Sequence, residues 1–291
     1  MPPADPAARI AEVEARAQRF SSPCGEGGLA WRRWGKGSPL VLLHGGTGAW
    51  THWIRNIDAL SAVYTVWACD MPGFGDSAAP PKGAKVGELA AIVAAGIALL
   101  IREPVRLAGF SFGGLVAGHL AADHPALVRH LMLIGAGGLG LREGRKLPLV
   151  AWRHLKDEEE RAAAHRHNLA HLMLWDEAKI DALAQAIQSG NAARSRINSG
   201  PFSRGDVLLE PLARVNAPID GLWGRHDTTS MGRQAEIEPL LRRTDPEARV
   251  TVIEDAGHWV IYEQAEAANA VLLQALAGEE RTRLRPRSLA S

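Results

Sequence analysis

The sequence predicts an α/β fold with a doubly wound, mostly parallel sheet and an inserted helical segment, and three observations carry this prediction. Short apolar runs recur along the chain, and most are apolar on both faces, as strands buried inside a parallel sheet must be. Helix-like segments separate these runs, and such alternation is typical of right-handed crossovers around one sheet. The alternation is interrupted once, between about residues 141 and 210.

Six runs are predicted as strands because each is short and rich in β-forming apolar residues. In chain order they are PLVLLH (39–44), VYTVWACD (63–70), PVRLAGF (104–110), HLMLIGA (130–136), APIDGLWG (217–224) and RVTVIEDAGH (249–258). The helix-like segments between and after them are HWIRNIDALS (52–61), VGELAAIVAAGIALLI (86–101), LVAGHLAADHPALV (115–128), RQAEIEPLLRRT (233–244) and EQAEAANAVLLQALAG (263–278).

The interruption after the fourth predicted strand indicates a helical insertion. It has no strand-like run, and it is patterned as helix through LAHLMLWDEAKIDALAQAIQ. The C-terminal GEERTRLRPRSLAS is charged and poor in apolar residues, which predicts disorder. The predicted organisation is an N-terminal extension (1–19), a core (20–140 and 211–278), the insertion (141–210) and a disordered tail (279–291).

Charge excludes several classes of partner. The chain of 291 residues has 33 basic and 32 acidic residues, so no summed field favours nucleic acid or an anionic membrane. No P-loop is found, and GAGGLG (135–140) is not interpreted as a dinucleotide fingerprint. We therefore predict a small-molecule substrate and no cofactor, and a homodimer is left open.

The cysteine count and the N-terminal segment indicate a cytoplasmic protein. Cys24 and Cys69 cannot form a disulfide framework, and Cys69 lies inside an apolar run. The first 20 residues lack the apolar core of a signal peptide. The longest uncharged apolar run, Leu89 to Ile101, is much shorter than the roughly 20 residues that span a bilayer.

A candidate nucleophile lies in LAGFSFGGLVAG (107–118). Ser111 is flanked by Gly109 and Gly113, follows a predicted buried strand and precedes a predicted helix. A G-x-S-x-G motif in this setting is typical of a strained turn that exposes a reactive serine. Without that setting the motif would indicate only a glycine-rich turn.

A serine nucleophile needs a base and a carboxylate that orients the base. In this kind of fold the acid and then the histidine follow later strands, which predicts Asp227 in LWGRHDTTS and His258 in EDAGHWV. Asp255 is the rival carboxylate, but a carboxylate two or three residues from a histidine rarely points at its imidazole in a loop at a strand end. His226 is the rival histidine, and it lacks the placement that the triad order predicts.

An acyl-transfer site also needs hydrogen-bond donors for the developing oxyanion. The segment LLHGGTGAW follows the first predicted strand, and its two consecutive glycines let backbone amides approach a ligand closely. We predict one donor at Gly46, with Thr47 as its rival, and the other at Phe112, the residue after the nucleophile.

Five motifs together resemble those of the α/β-hydrolase superfamily over roughly residues 20–278. They are LLHGG, DMPGFGDS, GFSFGG, GLWGRHD and AGHWVIYEQ. The resemblance implies that the insertion is a cap over the site. Because residue 111 is serine, the aspartate-nucleophile branches, haloalkane dehalogenases and epoxide hydrolases, are disfavoured, and an acyl-enzyme is implied instead.

Two subfamilies share features with this chain. HGGTGAWTHWIRN and GHWVIYEQAEAAN resemble hydrolases that cleave carbon–carbon bonds in aromatic ring-fission products. Those enzymes usually carry asparagine where this chain has Phe110, and a cap arginine for which only Arg194 or Arg196 is a candidate. GFSFGG is also similar to serine esterases and cofactor-free perhydrolases. The predicted activity is hydrolysis of a small, largely apolar ester or lactone, with carbon–carbon hydrolase, perhydrolase and hydrolase-like ligand receptor as alternatives.

Aromatic residues near the site are candidates for substrate binding. Trp50 and Trp53 follow the oxyanion loop, Trp259 follows the predicted catalytic histidine, and Phe110 precedes the serine. For the tryptophans, core packing is the alternative. A cluster of three histidines in the insertion lacks further ligands at zinc-binding spacing, so no metal site is predicted; these are His165, His167 and His171.

Overall fold

The structure is a computed structural model that describes residues 5–141, 146–230 and 232–277. An eight-stranded sheet lies at the centre of the fold. The strands are β1 (Gln18–Cys24), β2 (Gly27–Trp34), β3 (Pro39–Leu43), β4 (Thr65–Cys69), β5 (Val105–Phe110), β6 (Val128–Ile134), β7 (Ile219–Gly224) and β8 (Arg249–Ile253). Their order in the sheet is β1-β2-β4-β3-β5-β6-β7-β8. Strands β3 to β8 are parallel, and β1 and β2 are antiparallel. The predicted fold class is therefore confirmed.

The helices flank the sheet and join its strands. They are α1 (Pro6–Ala15), α2 (Ile57–Ser61), α3 (Val86–Leu100), α4 (Phe112–Asp123), α5 (Glu158–Asn168), α6 (Ala182–Ala193), α7 (Leu209–Ala213), α8 (Ile237–Arg242), α9 (Val260–Glu263) and α10 (Ala265–Ala277). An apolar core lies on each face of the sheet. Alternate side chains of β3 pack into one core or the other, since successive side chains of a strand point to opposite faces. Val41 and Leu43 pack with α3 and α4, whereas Leu40 and Leu42 pack with α2 and α10. Both faces of the sheet are thus covered.

The hairpin of β1 and β2 was not predicted from the sequence. In β1 only Ser22 and Cys24 are buried, because this strand lies at the edge of the sheet. An edge strand with one solvent-facing side has no continuous apolar run, which was the signal used for the other strands. In the last predicted run, β8 ends at Ile253, and the remainder forms the loop that carries His258.

The order of the strands determines where the site lies. β4 lies on one side of β3 and β5 on the other, so the connections after β3 and β5 leave in opposite directions and open a crevice. Ligands of open α/β sheets bind in such a crevice beyond the carboxyl ends of the strands. Strands β6, β7 and β8 follow β5 in order, so their carboxyl ends lie along the same edge.

The chain between β6 and β7 has no strand among its described residues, and we call residues 146–208 the insert. The insert contains the helices α5 and α6, and polar contacts anchor α6 to the core. Arg55 and the Tyr262 hydroxyl both donate to the Asp181 carboxylate, which is the N-cap of α6. The predicted domain boundaries stay predictions, and the predicted tail, 279–291, lies outside the described residues.

No helix in the described part of the chain is long and apolar enough to cross a bilayer. The predicted cytoplasmic location stays a prediction.

Candidate functional site

Ser111 lies on a strained turn between β5 and α4. Its φ is 54° and its ψ is −115°, a conformation that residues other than glycine rarely adopt. The turn is tight on both sides. A Cβ at Gly109 would lie 2.4 Å from the carbonyl oxygen of Gly113, and one at Gly113 would lie 2.5 Å from the carbonyl oxygens of Leu43 and His44. The two glycines therefore permit the close approach that exposes the Ser111 hydroxyl.

A chain of hydrogen bonds links Ser111, His258 and Asp227. The Ser111 Oγ lies 2.8 Å from His258 Nε2. His258 Nδ1 lies 2.9 and 3.0 Å from the two carboxylate oxygens of Asp227. Because a carboxylate can only accept at Nδ1, we assign the imidazole proton to that nitrogen, which leaves Nε2 to accept the serine hydroxyl. The carboxylate and the imidazole are almost fully buried, so water does not compete with this contact.

The rival residues lie elsewhere. Asp255 is exposed, and its backbone carbonyl accepts from the Gln264 amide. The His226 ring stacks on the exposed Trp175 indole at 3.7 Å between ring centroids. The structure therefore brings together the three residues that strand order indicated.

Thr229 contacts the Asp227 carboxylate and was missed in the sequence. Its backbone N–H and its hydroxyl both donate to Asp227 Oδ1, each at 2.7 Å. The sequence signal is the HDTT motif, since aspartate commonly accepts from the backbone two residues further on. These bonds, together with those to His258, restrict the rotation of the Asp227 carboxylate.

The loop after β3 lies directly against the first turn of α4. A Cβ at Gly46 would lie 3.8 Å from the Phe112 Cβ and 2.0 Å from the Oγ of Ser199 in the insert. Gly46, Thr47 and Phe112 line the same cavity as Ser111. Phe112 is the first residue of α4, and amides at a helix N-terminus have no acceptor within the helix. Donors from two elements therefore border the serine.

The cavity above Ser111 has a volume of about 850 Å³, which is a usual size for a small-molecule site. Its walls come from the loop after β3, the start of α4, the glycine-rich segment 136–141 and the insert. The insert contributes residues that include Leu149, Leu172, Met173 and Ser203. The insert thus contributes part of the cavity wall.

The prediction that three tryptophans line the pocket is wrong. Trp50, Trp53 and Trp259 are fully buried in the apolar core beneath the site and are not part of the cavity wall. The Trp259 indole N–H donates to the carbonyl of His52, and its ring stacks on that of Tyr262. Phe110 borders the cavity, but its ring is fully buried and packs 5.0 Å from the His258 ring.

The two candidate cap arginines do not reach the cavity either. Arg194 pairs with Asp76 at 2.9 Å. The Arg196 guanidinium donates to backbone carbonyls of the loop after β4, including that of Gly75 at 3.2 Å. Both therefore fasten the insert to the core. Among the described residues, Lys146 and Arg204 line the cavity, and they were missed because nothing in the sequence relates their positions to the serine.

Two buried histidines support the loop after β3 in their neutral form. His44 Nε2 accepts the N–H of Met71 at 2.8 Å, and His52 Nδ1 accepts the N–H of Gly45 at 3.2 Å. Burial lowers the pKa of His44, and it lowers the pKa of His52 well below the ordinary value. Protonation of either ring would place a proton on the accepting nitrogen, so the hydrogen bond from Met71 or Gly45 would be lost.

We expect the folded protein to lose stability in acid because of these histidines. Their folded pKa lies below the unfolded one, so below about pH 6.5 the unfolded chain binds protons that the native state excludes. Stability is fully present above pH 6.5 and falls below it by up to about 1.4 kcal/mol per pH unit for each histidine. Urea unfolding at pH 7.5, 6.0 and 5.0 measures this slope. His52→Gln keeps an acceptor without titrating, so it should show a shallower slope; equal slopes would contradict the prediction.

The histidines of the insert make local contacts. His167 Nε2 lies 2.7 Å from the carbonyl oxygen of Pro148, and the His167 and His171 rings stack at 4.0 Å. His165 is buried and packs against Trp152. Across the described ranges, no group of three or more His, Cys, Asp or Glu residues has a metal-binding arrangement.

Comparison with known proteins gives consistent similarities. Residues 38–168 match a family model described as the alpha/beta hydrolase fold. The dihydrolipoyllysine-residue acetyltransferase component of the acetoin cleaving system of Pseudomonas putida is 33% identical over 273 residues, which are 92% of this chain and 69% of that protein. A 2-hydroxy-6-oxononadienedioate/2-hydroxy-6-oxononatrienedioate hydrolase of Comamonas testosteroni is 30% identical over 84% of this chain and 89% of its own. The crystal structure of a membrane phospholipase A, a bacterial virulence factor, superposes with a TM-score of 0.74 at 26% identity, covering 94% of this chain and 92% of that one.

Proposed function

Because this chain belongs to the α/β-hydrolase fold family, we propose that it is a serine hydrolase that cleaves a small, largely apolar carboxylic ester or lactone through an acyl-enzyme. The observation that carries the proposal is the continuous hydrogen-bonded chain from Ser111 through His258 to Asp227. A hydroxyl 2.8 Å from an imidazole nitrogen, with a carboxylate on the other nitrogen, is the arrangement that activates serine.

In the acylation step, His258 Nε2 takes the Ser111 proton as Oγ attacks the carbonyl carbon of the substrate. The carbonyl oxygen becomes an oxyanion, which the backbone N–H groups of Phe112 and Gly46 stabilise. His258 then protonates the leaving alcohol oxygen, and the acyl group stays on Ser111. Asp227 stabilises the imidazolium that exists between these two proton transfers.

In the deacylation step, His258 Nε2 takes a proton from water, and the hydroxide attacks the acyl-enzyme carbonyl. The second tetrahedral intermediate uses the same two amides. His258 returns the proton to Ser111 Oγ as the acid leaves, so the enzyme is regenerated. Thr229 supports both steps through Asp227, whose carboxylate must keep its orientation while the imidazole is charged.

Carbon–carbon hydrolysis is the second candidate, and the Comamonas testosteroni relative favours it. That reaction handles a dienol or enolate, for which a polar donor beside the serine is useful. Here the position is Phe110, whose buried ring packs against His258 and His52 and offers no donor. For this reason we prefer the ester or lactone reaction.

A substrate panel tests the proposal. The panel contains p-nitrophenyl esters of increasing acyl length, several lactones and a ring-fission dienol keto acid, with dihydrolipoamide added to one set as an acyl acceptor. We expect turnover of short esters or lactones in water alone. Turnover of the dienol acid only would replace the proposal by the carbon–carbon reaction. Release of p-nitrophenol only when dihydrolipoamide is present would instead indicate acyl transfer, the activity in the name of the Pseudomonas putida relative.

A further inference from the structure

The cavity carries positive charge that the reaction at Ser111 does not use. Lys146 and Arg204 both line it. Among the described residues of the cavity wall there is no aspartate or glutamate, and polar side chains of that wall such as those of Asn198 and Ser203 are neutral. A cleft lined by one sign of charge attracts ligands of the opposite sign.

Neither cation has a carboxylate partner among the described residues. In the part of the chain that the structure describes, no ion pair includes Lys146 or Arg204, although most other described arginines that make side-chain contacts are paired with Asp or Glu. The paired arginines are Arg9, Arg16, Arg19, Arg32, Arg55, Arg161, Arg194, Arg214, Arg225, Arg233 and Arg242. The guanidinium at the cavity is therefore available to a ligand, and its planar fork matches the two oxygens of a carboxylate.

The loop that carries Arg204 is fixed to the cavity wall at both ends. Upstream, Ser199 lies against Gly46 of the loop after β3. Downstream, the Gly205 carbonyl accepts the N–H of Gly140 at 2.9 Å, and the N–H of Leu208 donates to the Gly138 carbonyl at 2.8 Å. The backbone at Arg204 is thus held in place while its side chain is exposed to the cavity and to solvent.

We propose that the substrate carries a carboxylate on its acyl chain, away from the scissile carbonyl, and that Arg204, assisted by Lys146, binds this carboxylate. The inference rests on the proposed function and narrows its substrate class to monoesters of dicarboxylic acids, or lactones with a free carboxylate. The apolar wall residues, such as Leu149 and Leu172, contact the chain between the two ends.

Two matched esters test the subsite: the mono-p-nitrophenyl ester of adipic acid and the corresponding ester of adipic acid monoamide, which is neutral. We expect wild type to prefer the carboxylate ester. Arg204→Gln lowers kcat/KM for that ester about tenfold or more, through KM, because a charge-assisted contact is lost. The neutral ester changes less than twofold. Lys146→Gln acts in the same direction with a smaller effect, and 0.5 M salt reduces the wild-type preference.

Lys156→Gln is the matched control, because Lys156 is an exposed lysine of the insert that is not part of the cavity wall. It should leave the hydrolysis of both esters unchanged. Equal losses for the two esters in Arg204→Gln, or no wild-type preference for the carboxylate, would overturn the inference.

Failure of the proposed function is distinguishable from failure of the subsite. If neither ester is hydrolysed, the proposed reaction is wrong, and titration calorimetry with adipic acid monoamide then measures the subsite alone. Binding to wild type at least tenfold tighter than to Arg204→Gln supports the subsite, and equal binding overturns it.

Discussion

The Ser111→Ala variant loses turnover of every ester that the wild-type protein hydrolyses, with kcat lowered by about 10⁴-fold or more. The reason is geometric. Ser111 Oγ is the atom that His258 Nε2 faces at 2.8 Å, and alanine leaves the imidazole with no hydroxyl to activate. Donors around the cavity can still polarise a carbonyl, so a small rate above that of water remains.

Steady-state kinetics with the best ester of the panel provides the measurement, together with labelling by a fluorophosphonate and intact-mass spectrometry. We expect one adduct on wild type and none on Ser111→Ala. Asp227→Asn should lower kcat by a comparable factor, about 10⁴-fold, because the amide favours the wrong tautomer of His258.

The control for the serine variant is Ser189→Ala, an exposed serine of α6 whose hydroxyl bonds only locally. Its kinetics should equal those of wild type. If Ser111→Ala keeps more than about a tenth of the activity on any substrate, the acyl-enzyme at Ser111 is refuted, since triad variants lose far more.

The second large effect concerns stability: Arg32→Leu lowers the free energy of unfolding by about 3–5 kcal/mol. The Arg32 side chain is buried on β2 and donates to Asp70 at 3.1 Å and to Glu14 at 2.8 Å. It also pairs with Asp76. Asp70 is fully buried, so leucine would leave its charge without the cation that faces it. Removing one partner of a buried pair is costly for this reason.

Urea unfolding at pH 7.5 measures this loss, and Arg19→Leu is its control. Arg19 pairs with the same Glu14, but it is 65% exposed, and an exposed pair contributes about 0–1 kcal/mol. A loss below 1 kcal/mol for Arg32→Leu would show that Asp70 is satisfied by the backbone alone, through the N–H groups of Trp50 and Asp76.

The carboxylates that pair with Arg32 also contact two segments that form the site. Asp70 accepts the N–H of Trp50 at 2.8 Å, and Trp50 follows the glycines of the loop after β3. Asp76 pairs with Arg194 of the insert. We therefore expect Arg32→Leu to weaken the anchoring of both the loop after β3 and the insert. The temperature at which half of the ester-hydrolysis activity is lost should then fall together with the Tm of unfolding.

The six parallel strands and the positions of Ser111, Asp227 and His258 could be inferred from the sequence by itself. Strands buried on both faces leave continuous apolar runs, and the carboxyl ends of parallel strands lie along one edge. Residues that follow such runs are therefore neighbours in space although they are far apart along the chain. The same reasoning separated Asp227 from Asp255, which is closer to His258 only in sequence.

Only the tertiary structure decided the rest. The edge strand β1 left no apolar signal, because one of its faces meets solvent. The tryptophans near the site have sequence positions that suit both core and pocket, and the direction of each indole depends on its packing partners. Arg204 reaches the cavity because the loop that carries it is hydrogen-bonded to the segment after β6, a contact between residues more than 60 positions apart. Local sequence encodes strand ends well, whereas the walls of the cavity are built from long-range contacts that no local pattern records.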